Sequence, residues 1–114
     1  SDLFVAVPAD FGSAMSITPI LVEGGGVAGN AHLTSWCYYA TVGEGAAIHS
    51  VNRADAVAFT AGSTIIAGPS LSLPLAALGD HIGIQTIRYG ADALDTYTGV
   101  VYIRGWLLTY TATM

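Results

Sequence analysis

Val100-Val101-Tyr102-Ile103-Arg104-Gly105-Trp106-Leu107-Leu108-Thr109-Tyr110-Thr111 is the stretch that decides the fold. Branched and aromatic residues fill it, as suits a half-buried strand, and no capped helical period runs through it. By strict alternation Val100, Tyr102, Trp106, Leu108 and Tyr110 share a face with Arg104, and Val101, Ile103 and Leu107 share the other. The strand is then apolar on both faces, whereas an antiparallel sheet in a free monomer usually keeps one face wet. One side is read as the domain's own core. The other is a candidate contact between subunits, where aromatics and Arg concentrate; the alternative is a large closed core with a few exposed aromatics.

Ala31 to Val42 repeats the pattern, with Trp36, Tyr38 and Ala40 on one face and Leu33, Cys37 and Tyr39 on the other. The two strands together nominate Trp36, Tyr38, Tyr102, Arg104 and Trp106 as oligomer-interface residues. Short runs between Gly, Pro, Asn and Asp make up the rest of the chain. Leu3 to Pro8 is a first strand. Met15 to Glu23 is a second, in which Pro19 suggests a sheet edge or a bulge. Gly24 to Asn30 is a loop and Gly43 to Gly45 a break; Ala46 to Asn52 reads as a short strand or a turn. Asp55 to Thr60 is a strand, and Ser63 to Gly68 a loop or short strand. Ser70 to Leu75 is a strand, Ala76 to Asp80 a turn or a single helical turn, His81 to Tyr89 a strand and Gly90 to Gly99 a polar loop. About eight strands without helical segments predict one all-β domain over residues 1–114, an antiparallel, jelly-roll-like β-sandwich.

Composition narrows the function. Charged residues are 10% of the 114, against about 25% in an ordinary soluble domain. Hydrophobic residues are 53%. So few charges imply a surface of Ser, Thr, Gly and Asn, or one covered by neighbouring subunits. A net charge of −5 with three arginines and no lysine offers no phosphate-binding patch, so nucleic acid is not an expected partner. Gly24–Gly43 and Ala56–Gly79 are uncharged but interrupted by Gly, Pro and polar residues, so no membrane span is expected. The start, SDLFVAVPADF, lacks the basic opening and long apolar run of a signal peptide.

Motifs for chemistry are weak. Cys37, the single cysteine, sits in an apolar run and reads as a buried, inert thiol. Gly24, Gly26 and Gly29 have G-x-G-x-x-G spacing, but a strand-like segment follows where the dinucleotide fingerprint needs a helix. His32, His49 and His81 have no paired metal-ligand spacing. Asp92 and Asp95, in a glycine-bounded loop, could bind calcium or shape the turn; the turn is preferred, with Arg88 as a partner for one of them. No catalytic, cofactor or metal residues are assigned, and an enzyme is not expected.

The C-terminal third carries a resemblance. Arg88, Gly90, Ala91, Asp92, Asp95, Thr96 and Gly99, followed by Gly105 and the closing Tyr110-Thr111-Ala112, fit a strand with arginine, a "dGADaaDT..G" loop and a last strand ending "G..l.YTA". At the other end Phe4, Val5, Val7, Pro8, Asp10 and Phe11 fit an "f.l.vP.dy" opening. Asp55 to Thr60 and the run from Leu71 to Asp80 fit as well, and the middle is looser. In these features the chain resembles a β-sandwich domain recurrent in structural proteins of tailed-bacteriophage virions. Val100 departs from it, because an acidic residue usually follows the loop glycine there. The resemblance implies a virion component without catalysis and leaves capsid decoration, head fibre and tail-associated roles open. Of these the leading expectation is a capsid decoration or cement protein, a homotrimer on the capsid surface because capsid lattices offer threefold sites, with itself and the major capsid protein or other virion proteins as partners. A glycan- or host-surface-binding module of a phage fibre or tail is the alternative, with Trp36, Trp106 and the six tyrosines available to stack on sugars.

Overall fold

The computed structural model describes residues 2–25, 28–45, 48–59 and 65–113, with Asp2 and Leu3 described by their backbone alone. Eight strands follow one another: β1 (Asp2–Ala6), β2 (Phe11–Glu23), β3 (Gly29–Thr41), β4 (His49–Phe59), β5 (Ile65–Ala67), β6 (Leu71–Ser72), β7 (Asp80–Arg88) and β8 (Val101–Ala112). One sheet has the order β1-β7-β3-β4. In the other, β2 is central, with β8 along one edge and the short β5 and β6 end to end along the opposite edge. All pairings are antiparallel. The chain crosses between sheets at β1–β2, β2–β3, β4–β5, β6–β7 and β7–β8, and β3–β4 is a hairpin within one sheet. The protein is therefore an all-β antiparallel sandwich.

Alternation explains which side of each strand faces in. Ala31, Leu33, Ser35, Cys37 and Tyr39 of β3 are buried, as are Ile82, Ile84 and Thr86 of β7 and Met15, Ile17 and Leu21 of β2. These meet between the sheets, where each fully buried aliphatic side chain contributes about 1.5–3 kcal/mol. The interior has two apolar centres, one around Met15, Ile17, Tyr39 and Ile82 and one around Leu21, Leu33, Phe59 and Tyr97. The polar pair Ser35 and Thr86 inside it is satisfied by its own hydroxyl–hydroxyl bond of 2.9 Å.

Three expectations need correcting. Pro19 lies in the central strand of its sheet, not at an edge. Its carbonyl accepts from Gly68 N–H at 2.8 Å, so its nitrogen, which has no hydrogen to donate, faces the gap between β5 and β6, where no ladder bond is lost. Secondly, β4 runs unbroken from His49 to Phe59 through the polar Asn52-Arg53-Ala54-Asp55, because an edge strand with exposed positions need not be apolar. Ala46, Ala47, Thr60, Ser63 and Thr64, where the sequence reading placed parts of short strands, lie outside the described residues.

The third correction concerns β8. Ile20 pairs with Gly105 but Leu21 pairs with Ile103, so Arg104 is an extra residue in a β-bulge. A one-residue insertion exchanges the faces of everything beyond it. Val101 and Ile103 therefore share the inward side with Trp106 and Leu108, and all four pack on the two apolar centres. Tyr102, paired with Val22, and Leu107, paired with Thr18, share the outward side, exposed by 56% and 55%. The strand is not apolar on both faces throughout; its alternation changes phase at Arg104.

Candidate functional site: two outer faces and a clasped loop

The five proposed interface residues fall on three surfaces. Trp36 and Tyr38 stand on the outer face of the β1-β7-β3-β4 sheet, opposite the buried Ser35, Cys37 and Tyr39. Trp36 is half-buried, edge-on to Tyr89 with ring centres 6.4 Å apart, and Tyr38 is exposed. Tyr102 is outward on β8, and Arg104 is exposed at the bulge. Trp106 is half-buried on the inward side, with its indole Nε1 buried and, among the described residues, without a hydrogen-bond partner. The structure thus brings Trp36 and Tyr38 together, and Tyr102 with Arg104, but not all five.

Beside Tyr38 the sheet carries a shallow, mainly apolar groove of about 870 Å³, lined among others by Phe4, Tyr38, Val42, His81 and Gln85. Gly83 makes the room. It pairs with both Tyr38 and Phe4, and a Cβ on it would stand 3.1 Å from the Phe4 ring. The Phe4 side chain is 81% exposed. Sequence reasoning missed Phe4 as a surface feature, although period-two alternation of β1 with Val5 inward would have placed it there.

The loop from Gly90 to Gly99 is held by one clasp. Arg88 Nε donates to Asp95 Oδ2 at 2.8 Å and Nη2 donates to Oδ1 at 2.7 Å, the bidentate geometry a guanidinium favours. Its Nη1 and Nη2 also donate to the carbonyls of Gly99 at 2.6 Å and Tyr97 at 2.5 Å. Asp95 accepts a further bond from the His32 amide at 3.0 Å, and its side chain is 3% exposed. The Arg88 hydrogen bonds, ahead of the His32 amide, hold the Asp95 carboxyl below its ordinary value of 3.8. Asn30 O accepts the amides of Thr96 and Tyr97, while Tyr97 stacks on Phe59 at 4.8 Å.

Asp92 takes a separate role. Its Oδ1 accepts from Leu94 N–H at 2.8 Å, and its Oδ2 lies 3.5 Å from His32 Nδ1. The carboxylates are thus engaged apart from each other, in the turn-shaping role. Among the described residues no group of three or more His, Cys, Asp or Glu stands close enough to hold a metal ion. Gly24 and Gly29 also have a packing reason: a Cβ on Gly24 would collide with the Val100 backbone, and one on Gly29 would lie 2.9 Å from that of Thr96. β3 begins at Gly29, where a dinucleotide site would need a helix, and Gly26 lies outside the described residues. Cys37 is buried, and its thiol is pushed up to about 12, so it stays protonated.

A second clasp joins the ends of the chain. Tyr110 O–H donates to Asp10 Oδ1 at 2.6 Å, Thr113 N–H donates to Asp10 O at 2.8 Å, and Phe11 pairs with Ala112. The residues that carried the resemblance at both termini therefore meet in space, but as structural ties. No family model matches the chain, and neither a curated protein nor a solved structure matches it.

Proposed function

We propose that this chain is a non-enzymatic structural subunit of a tailed-bacteriophage virion, most simply a decoration or cement protein on the capsid surface. The observation that carries the reading is the surface. Large apolar side chains stand exposed on both outer faces, Phe4 and Tyr38 on one and Tyr102 and Leu107 on the other, in a chain with only 10% charged residues. Large aromatic and aliphatic side chains exposed in this way suit contacts with other chains. The two clasps support it further: the residues that resemble the virion domain, Arg88, Asp95, Asp10 and Tyr110, are spent on holding the sandwich together. Such a subunit acts mechanically, by burying apolar area at about 25 cal/mol per Å² across neighbouring capsid subunits. A homotrimer would suit a threefold site of such a lattice.

The test is to image and analyse purified particles of the source phage. Density for this sandwich on the capsid, and its peptides in the particle digest, are expected. Particles that lack the chain altogether would overturn the proposal. The groove supports a second reading, a glycan- or host-surface-binding module of a fibre or tail, because Phe4 and Tyr38 flank it beside Gln85 and His81. A glycan array that gives hits abolished by Tyr38→Ala would favour that reading; an array without hits would count against it.

A further inference from the structure

The free edge of β8 is complementary to itself. β8 has a strand partner on one side only, β2, among the described residues. Its sequence from Val101 to Ala112 has no Lys, Pro, Asp or Glu to guard that edge, and Arg104 is its single charge.

The direction of its backbone groups follows from two bonds. Gly68 N–H donates to Pro19 O and Leu73 N–H to Met15 O, so the odd-numbered residues of β2 turn their polar groups towards β5 and β6. Their partners on β8, Trp106 opposite Pro19 and Leu108 opposite Ile17, are non-hydrogen-bonded pairs and point their own N–H and C=O to the free edge. Beyond the bulge the same holds for Ile103 opposite Leu21 and Val101 opposite Glu23. The free groups therefore sit at Val101, Ile103, Trp106 and Leu108, spaced symmetrically about the Arg104–Gly105 bond.

We infer that two copies of the chain pair antiparallel through β8, about a two-fold axis at that bond. Val101 of one copy then exchanges backbone hydrogen bonds with Leu108 of the other, and Ile103 with Trp106, each pair twice. The bulge, which ordinarily spoils an edge for pairing, here faces its own copy, with Arg104 opposite a residue that has no side chain. Tyr102 comes opposite Leu107 on the outer face, so the two exposed apolar groups of β8 cover each other. The occupant is a second copy because register, face and free backbone groups all match under one symmetry operation. The contact is two-fold, so it gives a dimer in solution and a link between neighbouring trimers on a lattice. This inference rests on the reading of the chain as a self-assembling subunit.

The test uses the full chain. Mixing a Tyr102→Cys chain with a Leu107→Cys chain under mild oxidation is expected to give a covalent dimer, and neither chain alone should; Cys37 is buried and stays silent. In sedimentation velocity, Y102K/L107K sets lysine opposite lysine and should weaken the dimer roughly tenfold, while Y102K/L107E sets opposite charges together and should restore it. Equal cross-linking in the mixture and in the single chains, or identical behaviour of the two charge variants, overturns the pairing. A wild-type chain that stays monomeric at its highest attainable concentration also overturns it. If that monomer is still found on purified particles, only the edge contact falls and the virion reading stands. A β8 dimer absent from every particle gives the reverse.

Discussion

The Arg88 guanidinium meets the Asp95 carboxylate fork to fork, at 2.8 and 2.7 Å, and in doing so fixes a loop of the sandwich to the strand before it. The bonds of Arg88 span only 7 to 11 residues of chain, yet the effect is long-range, because Asp95 also holds the His32 amide on β3. Asp95→Ala is expected to leave the guanidinium half-buried and unpaired, at a cost of about 3 kcal/mol. Arg88→Lys keeps the charge but loses the fork and the carbonyl contacts, and is expected to destabilise by about 2 kcal/mol. Urea denaturation reads both as a lower midpoint with an unchanged slope.

The same pair sets an acid limit. The carboxyl of Asp95 is held below its ordinary value in the folded chain, chiefly by Arg88, so the folded state binds its proton less tightly than the unfolded state. Its stabilisation is fully present above the unfolded value of 3.8 and is lost as pH falls through the lower folded value. Stability measured from pH 6 to about 2 should fall more steeply below about 4 in wild type than in Asp95→Asn, which has no carboxyl to protonate. Parallel curves for the two proteins would contradict this role.

The Asp10–Tyr110 bond sets a limit at the alkaline end. Its hydrogen bond to the Asp10 carboxylate keeps the Tyr110 phenol protonated above its ordinary value of 10.0. The tie is intact below that value and is released as pH rises through the raised one. Tyrosinate absorbance of Tyr110→Phe should therefore lack one ionisation above pH 10.0 that wild type shows. In the same variant the Thr113 amide, which donates to Asp10 O, should exchange its hydrogen faster.

How far these features could be read in advance depended on their distance along the chain. Arg88 and Asp95 are seven residues apart, and their pairing was readable from the loop that joins them. Asp10 and Tyr110 are 100 residues apart, and nothing local announces that they meet. The faces of β3 followed from uninterrupted alternation between Leu33 and Tyr39. Those of β8 did not, because a bulge adds one residue without any change of composition; Gly105 beside the extra Arg104 was the only local sign. Pro19 misled for a related reason: its missing donor faces a gap that two short strands leave, and that gap is a property of the partner row.

Cys37 offers a probe of global unfolding. It is buried in β3 at the centre of the sheet, and burial pushes its thiol up to about 12. A thiol reagent at pH 8 should modify it only through opening of the core. Its rate in native buffer should then track denaturant stability across the Asp95 and Arg88 variants. A Cys37 that reacted at the speed of a free thiol would show that the sandwich opens locally at β3.

Arg104 separates the role of a side chain from that of a backbone position. The side chain is exposed, so Arg104→Ala should change stability by no more than about 0.5 kcal/mol. Deleting the residue is a different perturbation. The remaining chain can pair with β2 only by turning Val101 and Ile103, or else Trp106 and Leu108, out to solvent. Either choice strips one apolar centre of its cover, Val101 and Ile103 from the one around Leu21, Trp106 and Leu108 from the one around Ile17. At about 1.5–3 kcal/mol for each large side chain when fully buried, losing two half-buried ones costs up to about 3–6 kcal/mol, which reaches the lower end of the about 5–15 kcal/mol that holds a domain folded. Circular dichroism and thermal melting should therefore find Arg104→Ala folded and the deletion unfolded. A deletion variant that melts like wild type would mean that the bulge does not set the faces of β8.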